Sequence, residues 1–569
     1  MKFCEQCGQR LTPDARFCEQ CGAAAAVGKT VPEEVTDRAG FFDESCVVVI
    51  NRAGWRARWG HGDATALELD LRKYLTVRSQ QSNVAYTICD VSAHGIGESP
   101  DWRQVVAAIK NALGGRSPKF IFLIGGSTDL PMGEFTNPFR DNIDDNVHTD
   151  YCYSLLSDAD LGLPEAVLPT VPKHLVGRLP LGRDTTPAHV RRYFHNAAHQ
   201  GAWPGHGRKN IAGVSAKAWE AASEQVFRNL NVHEPELHRS PAFRIDDFDR
   251  LVASDPSCLF FNVHGGSQPE EIWWRGDNGE QATPGTTLEL YEQSLRPKVV
   301  DSERFNFNSI NVTISEACYG GRFFNPASQE EEFLGSQSIL LKALFDKTIA
   351  FVGASKVTFA EFDSMHEICY GASDKLATEF LAPVARESSW SAISQPLGET
   401  MLRARLALQS HAFDESANGP AYLLGVKKMF LAFNLFGDPT LFRPPSRINA
   451  RSSSERDLPE APRDLHESLM SDLRDAVSGS HGRLRREVFG RVNQLHQSLR
   501  GDIRDGVGRL VFSIYPHLDG VQPVETCWQS DDGAIGYLLS YTKHVEGIDC
   551  RVFVSCDGQG KIQRTLTPK

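Results

Sequence analysis

Val312-Thr-Ile-Ser-Glu-Ala-Cys318-Tyr-Gly-Gly321 is an apolar run that ends in a cysteine and then glycines. It reads as a buried strand with a sulfur at its tip and an adjacent backbone free to present N–H groups. Upstream by 54 residues, Leu259-Phe-Phe-Asn-Val-His264-Gly-Gly266 repeats the design with a histidine in the cysteine's place. A thiol attacks well only after losing its proton, and a neighbouring imidazole can take it. Two adjacent strands ending in His264 and Cys318 would deliver the pair to one edge of a sheet. Taken singly, a strand-ending cysteine is usually a small buried hydrophobe and a His-Gly is usually a loop. Their coincidence in matching contexts points to a catalytic dyad.

Working outward, further strands are expected at 46–51, 85–91, 119–124, 258–263, 310–315 and 349–352. Helices are expected at 102–113, 187–199, 216–230, 336–345 and 399–408. Near-continuous apolar strands between amphipathic helices indicate an α/β fold, a mostly parallel sheet sandwiched by helices. Active residues then belong at the carboxyl ends of strands.

The caspase signature Gln-Ala-Cys-x-Gly, with its histidine about 50 residues earlier, has a counterpart in Glu316-Ala-Cys318-Tyr-Gly320 that differs at the first position. Further blocks follow in order: Leu123-Ile-Gly-Gly-Ser-Thr-Asp129-Leu-Pro131, Asp144-Asp-Asn-Val-His-Thr-Asp150-Tyr151 and Val176-Gly-Arg178-Leu-Pro180 come before the histidine. Ile349-Ala-Phe-Val-Gly353-Ala-Ser355 and Phe436-Gly-Asp438-Pro-Thr-Leu441 come after the cysteine. With these blocks, residues 41–445 resemble the caspase-fold (clan CD) cysteine peptidases, most of all the gingipain family, peptidase C25.

The resemblance implies a caspase-like sheet and an endopeptidase with Cys318 as nucleophile and His264 as its proton-handling partner. The reaction would pass through a thioester acyl-enzyme. The backbone N–H groups of Gly265 and Cys318 would form the oxyanion hole, with glycine at 265 because a side chain would crowd the substrate. Two features depart from the family. The Gly213-Val-Ser-Ala-Lys-Ala-Trp219-Glu220 stretch has no aspartate where arginine-cleaving members carry one, so preference for Arg or Lys is not implied. The acidic residue that sometimes orients the histidine also has no match. Trp219 either walls the substrate pocket or packs in the core, the second being its commoner role. Trp273 stands equally between a substrate wall and packing beneath the histidine segment.

At the front of the chain, Cys4-x2-Cys7 and Cys18-x2-Cys21, each followed by glycine, have the spacing of four thiolates around one Zn²⁺. Four thiolates leave no open position for a substrate, so the ion is structural, and a module this short needs it to fold. Residues 1–24 resemble a short zinc ribbon. Residues 25–40 and 446–462 read as linkers, and their Lys and Arg make them candidates for proteolytic processing. Beyond the second linker, apolar residues recur at helical spacing from Leu465 to Val477 and again from Leu484 to Val507. Runs at 510–515, 535–541 and 551–555 look like strands. Residues 463–569 are therefore expected to form a helical hairpin plus a small β appendage.

With 569 residues, three or four folding units are expected. The 41% hydrophobic and 23% charged content excludes wholesale disorder. A net charge of −12 offers no general attraction to phosphate backbones or anionic lipid. The zinc ribbon itself carries little positive charge in Lys2, Arg10 and Arg16, so nucleic acid is an unfavoured partner. No run reaches the roughly 18 apolar residues that a membrane span needs. No signal-like apolar segment opens the sequence, and 13 dispersed cysteines do not suggest a disulfide framework. A cytoplasmic location is expected. Asp141, Asp144, Asp145 and Asp150 could hold Ca²⁺, though solvated loop carboxylates are the better reading, since their spacing fits no calcium loop. The expected partner is a protein or peptide substrate, joined by a regulatory protein, signal or processing event that keeps a cytosolic peptidase harmless, in stress, bacterial defence or cell death. The alternative is a catalytically inactive scaffold that docks partners through its zinc ribbon and C-terminal region.

Overall fold

Cys46-Val-Val-Val-Ile50 and Phe120-Ile-Phe-Leu-Ile124 have no polar residue to show to water, and both lie buried as interior strands of a sheet. The computed structural model describes residues 44–442 and 492–568, except for 83, 141–142, 164–171, 200–210, 232–235, 241–247, 266–310, 326–327, 363–367, 387–394, 415–418, 496, 516–517, 531–534 and 546–547. It also describes residues 2–3 and 10–11.

The first strands are β1 (Lys2–Phe3), β2 (Arg10–Leu11), β3 (Glu44–Ile50), β4 (Val84–Asp90), β5 (Phe120–Ile124), β6 (Gly133–Thr136) and β7 (Asn146–Thr149). Then come β8 (Leu175–Leu179), β9 (Ile211–Ala216), β10 (Glu236–Ser240), β11 (Cys258–Asn262), β12 (Asn311–Ser315), β13 (Phe324–Asn325) and β14 (Ser328–Glu332). The chain continues with β15 (Thr348–Ala354), β16 (Phe359–Phe362), β17 (Phe433–Gly437), β18 (Val492–Leu495), β19 (Val524–Ser530), β20 (Ile535–Val545), β21 (Ile548–Asp557) and β22 (Ile562–Pro568).

Ten strands form one sheet in the order β10-β9-β11-β12-β15-β17-β8-β5-β3-β4. Every neighbouring pair is parallel except β15 with β17. The sheet is therefore mostly parallel, as expected, with one reversal that splits it into two halves running in opposite directions. β9, β11, β12 and β15 all end on the same rim.

Helices follow the sequence signals where those are strong. Trp102–Leu113 starts at a capping box between Asp101 and Gln104, buries Val105, Val106 and Ile109, and stops at Gly114 in the left-handed region. The expected 216–230 helix begins later: Ala216 completes β9, Lys217–Trp219 make a 3-10 turn, and the α-helix spans Glu220–Asn229. The helix Arg52–Ser82 was not legible, because its apolar residues are scattered among charges. Its Tyr74 donates to Asp438 at 2.6 Å, and the buried Arg78 guanidinium lies 3.8 Å from the same carboxylate.

The quoted sequence blocks meet in space. Arg178 on β8 donates Nε and Nη2 to the two oxygens of Asp150 at 2.9 and 2.7 Å, and Nη1 to the Leu130 carbonyl at 2.6 Å. One buried guanidinium thus joins three of the blocks.

The C-terminal region departs from expectation. Leu510–Ile514 belongs to the helix Gly501–Ile514 and is not a strand: Val507 and Val511 lie on one buried face, and a short apolar run does not reveal its period. Val492–Leu495, expected within a second long helix, is strand β18. Residues 463–491 lie outside the described residues. The strands expected at 535–541 and 551–555 are present as β20 and β21. They pack with the helix on a buried cluster of their own that includes Val507, Val511, Leu539 and Val554. The second sheet has the order β16-β22-β21-β20-β19-β18, so its edge strand comes from between β15 and β17 of the main sheet. Phe139 and Phe359 pack edge-on against Phe553, and Trp528, Leu538 and Leu566 share the main core.

Candidate active site

β11 and β12 are parallel neighbours with Phe261 opposite Ser315. His264 and Cys318 each follow three residues later, so the two strands project them from the same rim. The Glu316 N–H donates to the Phe261 carbonyl at 2.8 Å and extends the pairing past the strand. Beyond it the backbones touch: a β-carbon on Gly265 would lie 1.7 Å from the Cys318 carbonyl oxygen. Glycine is needed at 265 because the Cys318 backbone occupies that space. This replaces the substrate-crowding reason read from sequence. Gly321 donates its N–H to the Ala354 carbonyl at 2.8 Å, which brings the Cys318 turn against the end of β15.

The Cys318 side chain is enclosed, with the residue 2% exposed. Its sulfur accepts the Thr358 N–H at 3.3 Å and donates S–H to the Thr358 carbonyl at 3.4 Å. Burial pushes the thiol up to about 12, against a smaller lowering by the Thr358 hydrogen bonds and Lys428. In this conformation the group is a neutral thiol. His264 packs edge-on against Trp219, ring centroids 4.5 Å apart. Trp219 is itself buried, so it is a core residue that also touches the histidine. Trp273 lies outside the described residues.

Behind Cys318 sits a charged cluster that differs from the sequence expectation. Asp144 and Asp150 are not solvated loop carboxylates. Asp150 pairs with Arg178, and Asp144 is buried, accepting from the Tyr319 hydroxyl at 3.0 Å, the Val357 N–H at 3.1 Å and Lys428 Nζ at 2.8 Å. Lys356 Nζ lies 3.7 Å away. Burial favours the neutral acid, but Lys428 and Lys356 outweigh it and hold the Asp144 carboxyl well below the usual carboxylate range. Burial in turn draws the Lys356 ammonium down to about 8, with Asp144 opposing. Asp145 is exposed and Asp141 lies outside the described residues. Among the described residues no group of three or more carboxylate, thiol or imidazole side chains is arranged to hold a metal. Thr358, Lys356 and Lys428 were not singled out in the sequence. Nothing in a lone threonine or an amphipathic lysine marks it as a neighbour of a residue 40 or 110 positions away.

A model of peptidase family C25 matches residues 63–442. The chain belongs to peptidase family C25. It is accordingly a cysteine-type peptidase, and as such acts on protein or peptide substrates. A zinc-ribbon domain model matches residues 3–24. Strands β1 and β2 pair antiparallel there, Lys2 opposite Leu11, while Cys4, Cys7, Cys18 and Cys21 lie outside the described residues. A set of four cysteines suits tetrahedral Zn²⁺ by its chemistry. No curated protein matches the C25 chain. Solved structures similar to it include the complex of the pro- and mature domains of RgpB from Porphyromonas gingivalis. That structure shows 10% identity and a TM-score of 0.45, covering 92% of this chain and 99% of the other. Another is the Arg-specific cysteine proteinase gingipain R, with 10% identity and a TM-score of 0.44, covering 92% and 97%.

Proposed function

We propose that this C25 peptidase is an intracellular endopeptidase that uses Cys318 and His264 as a dyad and is held latent until a signal, partner or processing event releases the thiol. The observation that carries the reading is the meeting of the His264-Gly265 and Cys318 backbones beyond the paired ends of β11 and β12.

Catalysis begins when the Cys318 proton passes to His264 and the sulfur attacks the peptide carbonyl. The oxygen's developing charge is met by the N–H groups of Gly265 and Cys318. His264 returns the proton to the departing amine as the C–N bond breaks, and water then hydrolyses the thioester. Latency is supported by the enclosure of Cys318 and by its S–H bond to Thr358. The next residue, Phe359, begins β16, which pairs with the C-terminal strand β22. An intracellular setting is supported by Cys46, Cys89, Cys152, Cys318, Cys527 and Cys556, which stand as reduced thiols. Among the described residues no helix is long and apolar enough to cross a membrane. In the ribbon, Cys4, Cys7, Cys18 and Cys21 hold one structural Zn²⁺.

The test is prolonged labelling of the full chain with excess peptidyl acyloxymethyl ketone, long enough to capture the thiol as it is transiently released, beside Cys318→Ala and His264→Ala. Label on Cys318, lost in the first variant and strongly reduced in the second, supports the dyad. Equal labelling of all three rejects it.

A further inference from the structure

We propose that Asp144 is a positioning residue of this peptidase, tying together the two loops that carry and hold the Cys318 sulfur. This role rests on the reading of Cys318 as nucleophile.

One Asp144 oxygen accepts from Tyr319, the residue directly after Cys318. The other accepts from the Val357 N–H, next to the Thr358 peptide unit that grips the sulfur. A single carboxylate therefore reaches the turn that bears the nucleophile and the turn that holds it. Tyr319 stands at φ +58°, in the left-handed region, where a bulky residue stays only when its surroundings fix it. Those surroundings are specific: its hydroxyl is bound by Asp144, its N–H donates to the Lys356 carbonyl at 3.1 Å, and the Arg322 guanidinium sits 4.2 Å from its ring centroid.

The charge matters as well as the hydrogen bonds. Lys428, from the helix Pro420–Ala432, and Lys356 both face Asp144, with Arg322 and His148 close enough to interact. Asp144 is the anion paired with Lys428 and Lys356, and it also opposes ionisation of Cys318, whereas Lys428 favours it. Replacing it by asparagine keeps the shape but removes the compensation, leaving the thiol beside uncompensated positive charge.

The experiment compares full-length wild type with Asp144→Asn, Asp144→Glu, Tyr319→Phe and Cys318→Ala. It measures thermal unfolding, kcat and KM on a peptide substrate, and the pH dependence of iodoacetamide alkylation at Cys318, followed by peptide mass. Positioning predicts a folded Asp144→Asn with kcat lowered about 10- to 100-fold at nearly unchanged KM. Its alkylation profile moves to lower pH. Tyr319→Phe should lower kcat less and leave the alkylation midpoint in place, and Asp144→Glu should recover part of the loss. A folded Asp144→Asn with wild-type kcat and alkylation profile overturns the role. If that variant does not fold, Tyr319→Phe decides: wild-type kcat overturns the role, reduced kcat in a folded chain supports it. Wild-type turnover by Cys318→Ala would instead remove the nucleophile reading on which the role rests.

Discussion

Thr358 holds the Cys318 sulfur with both halves of its backbone, donating N–H at 3.3 Å and accepting S–H at 3.4 Å. A thiol in that grip is protonated and buried. The grip continues into β16, where Phe359 to Phe362 pair with Pro568 to Thr565 of β22. The C-terminal sheet and the Cys318 sulfur are thus linked through a single residue, Thr358.

The thiol's reactivity should reflect this. Its folded value is raised, so Cys318 stays protonated as pH rises through the ordinary thiol range and ionises only toward about 12. Alkylation of the resting chain at neutral pH should be about a thousandfold slower than that of a solvent-exposed cysteine. Peptide mass analysis after timed iodoacetamide exposure checks this. Labelling at the exposed-thiol rate would show that the grip does not persist in solution.

Loosening β22 should open the site. Leu566 is buried in the main core and pairs with Glu361 on β16. Leu566→Ala removes that packing at a cost of about 2–5 kcal/mol and should raise the Cys318 alkylation rate several-fold. An unchanged rate in a measurably destabilised variant would separate the C-terminal sheet from control of the thiol.

Gly265→Ala tests the contact between the two motifs. The added methyl meets the Cys318 carbonyl oxygen at 1.7 Å, a distance that no rotamer of alanine relieves. The backbones must part, and displacement on that scale costs about 100-fold in rate. Steady-state hydrolysis and active-site labelling should both fall. Retained activity would mean that the His264 segment sits elsewhere during catalysis.

The Arg178–Asp150 pair tests the scaffold. Both side chains are buried, and Asp150→Asn leaves a guanidinium uncompensated. Loss of about 3–5 kcal/mol is expected, read as a lower urea midpoint. Arg178→Met together with Asp150→Asn should recover part of it, whereas additive losses would exclude direct coupling.

The fold was legible where burial is nearly complete. β3, β5 and β11 are largely apolar, β12 is buried throughout despite Asn311, Thr313 and Ser315, and the paired His-Gly and Cys-x-Gly endings mark the tips of β11 and β12. β8 and β17 were quoted only as motif blocks, because Val176-Gly-Arg178 and Phe436-Gly-Asp438 mix apolar with charged residues. Those charges turn out to be satisfied inside the core by Asp150 and by Tyr74. Asp144 looked solvated because its partners Tyr319, Val357 and Lys428 come from distant parts of the chain. The link between β22 and β16 was equally hidden, since strand pairing across 200 residues has no local signature.

Covalent labelling tests the central claim most directly. Full-length protein held with excess peptidyl acyloxymethyl ketone long enough to capture the enclosed thiol as it is transiently released, then digested and mapped by mass, should carry the adduct on Cys318. His264→Ala should suppress it while leaving the thermal transition intact. Adduct formation on another cysteine, or unchanged labelling of Cys318 without His264, would contradict the dyad.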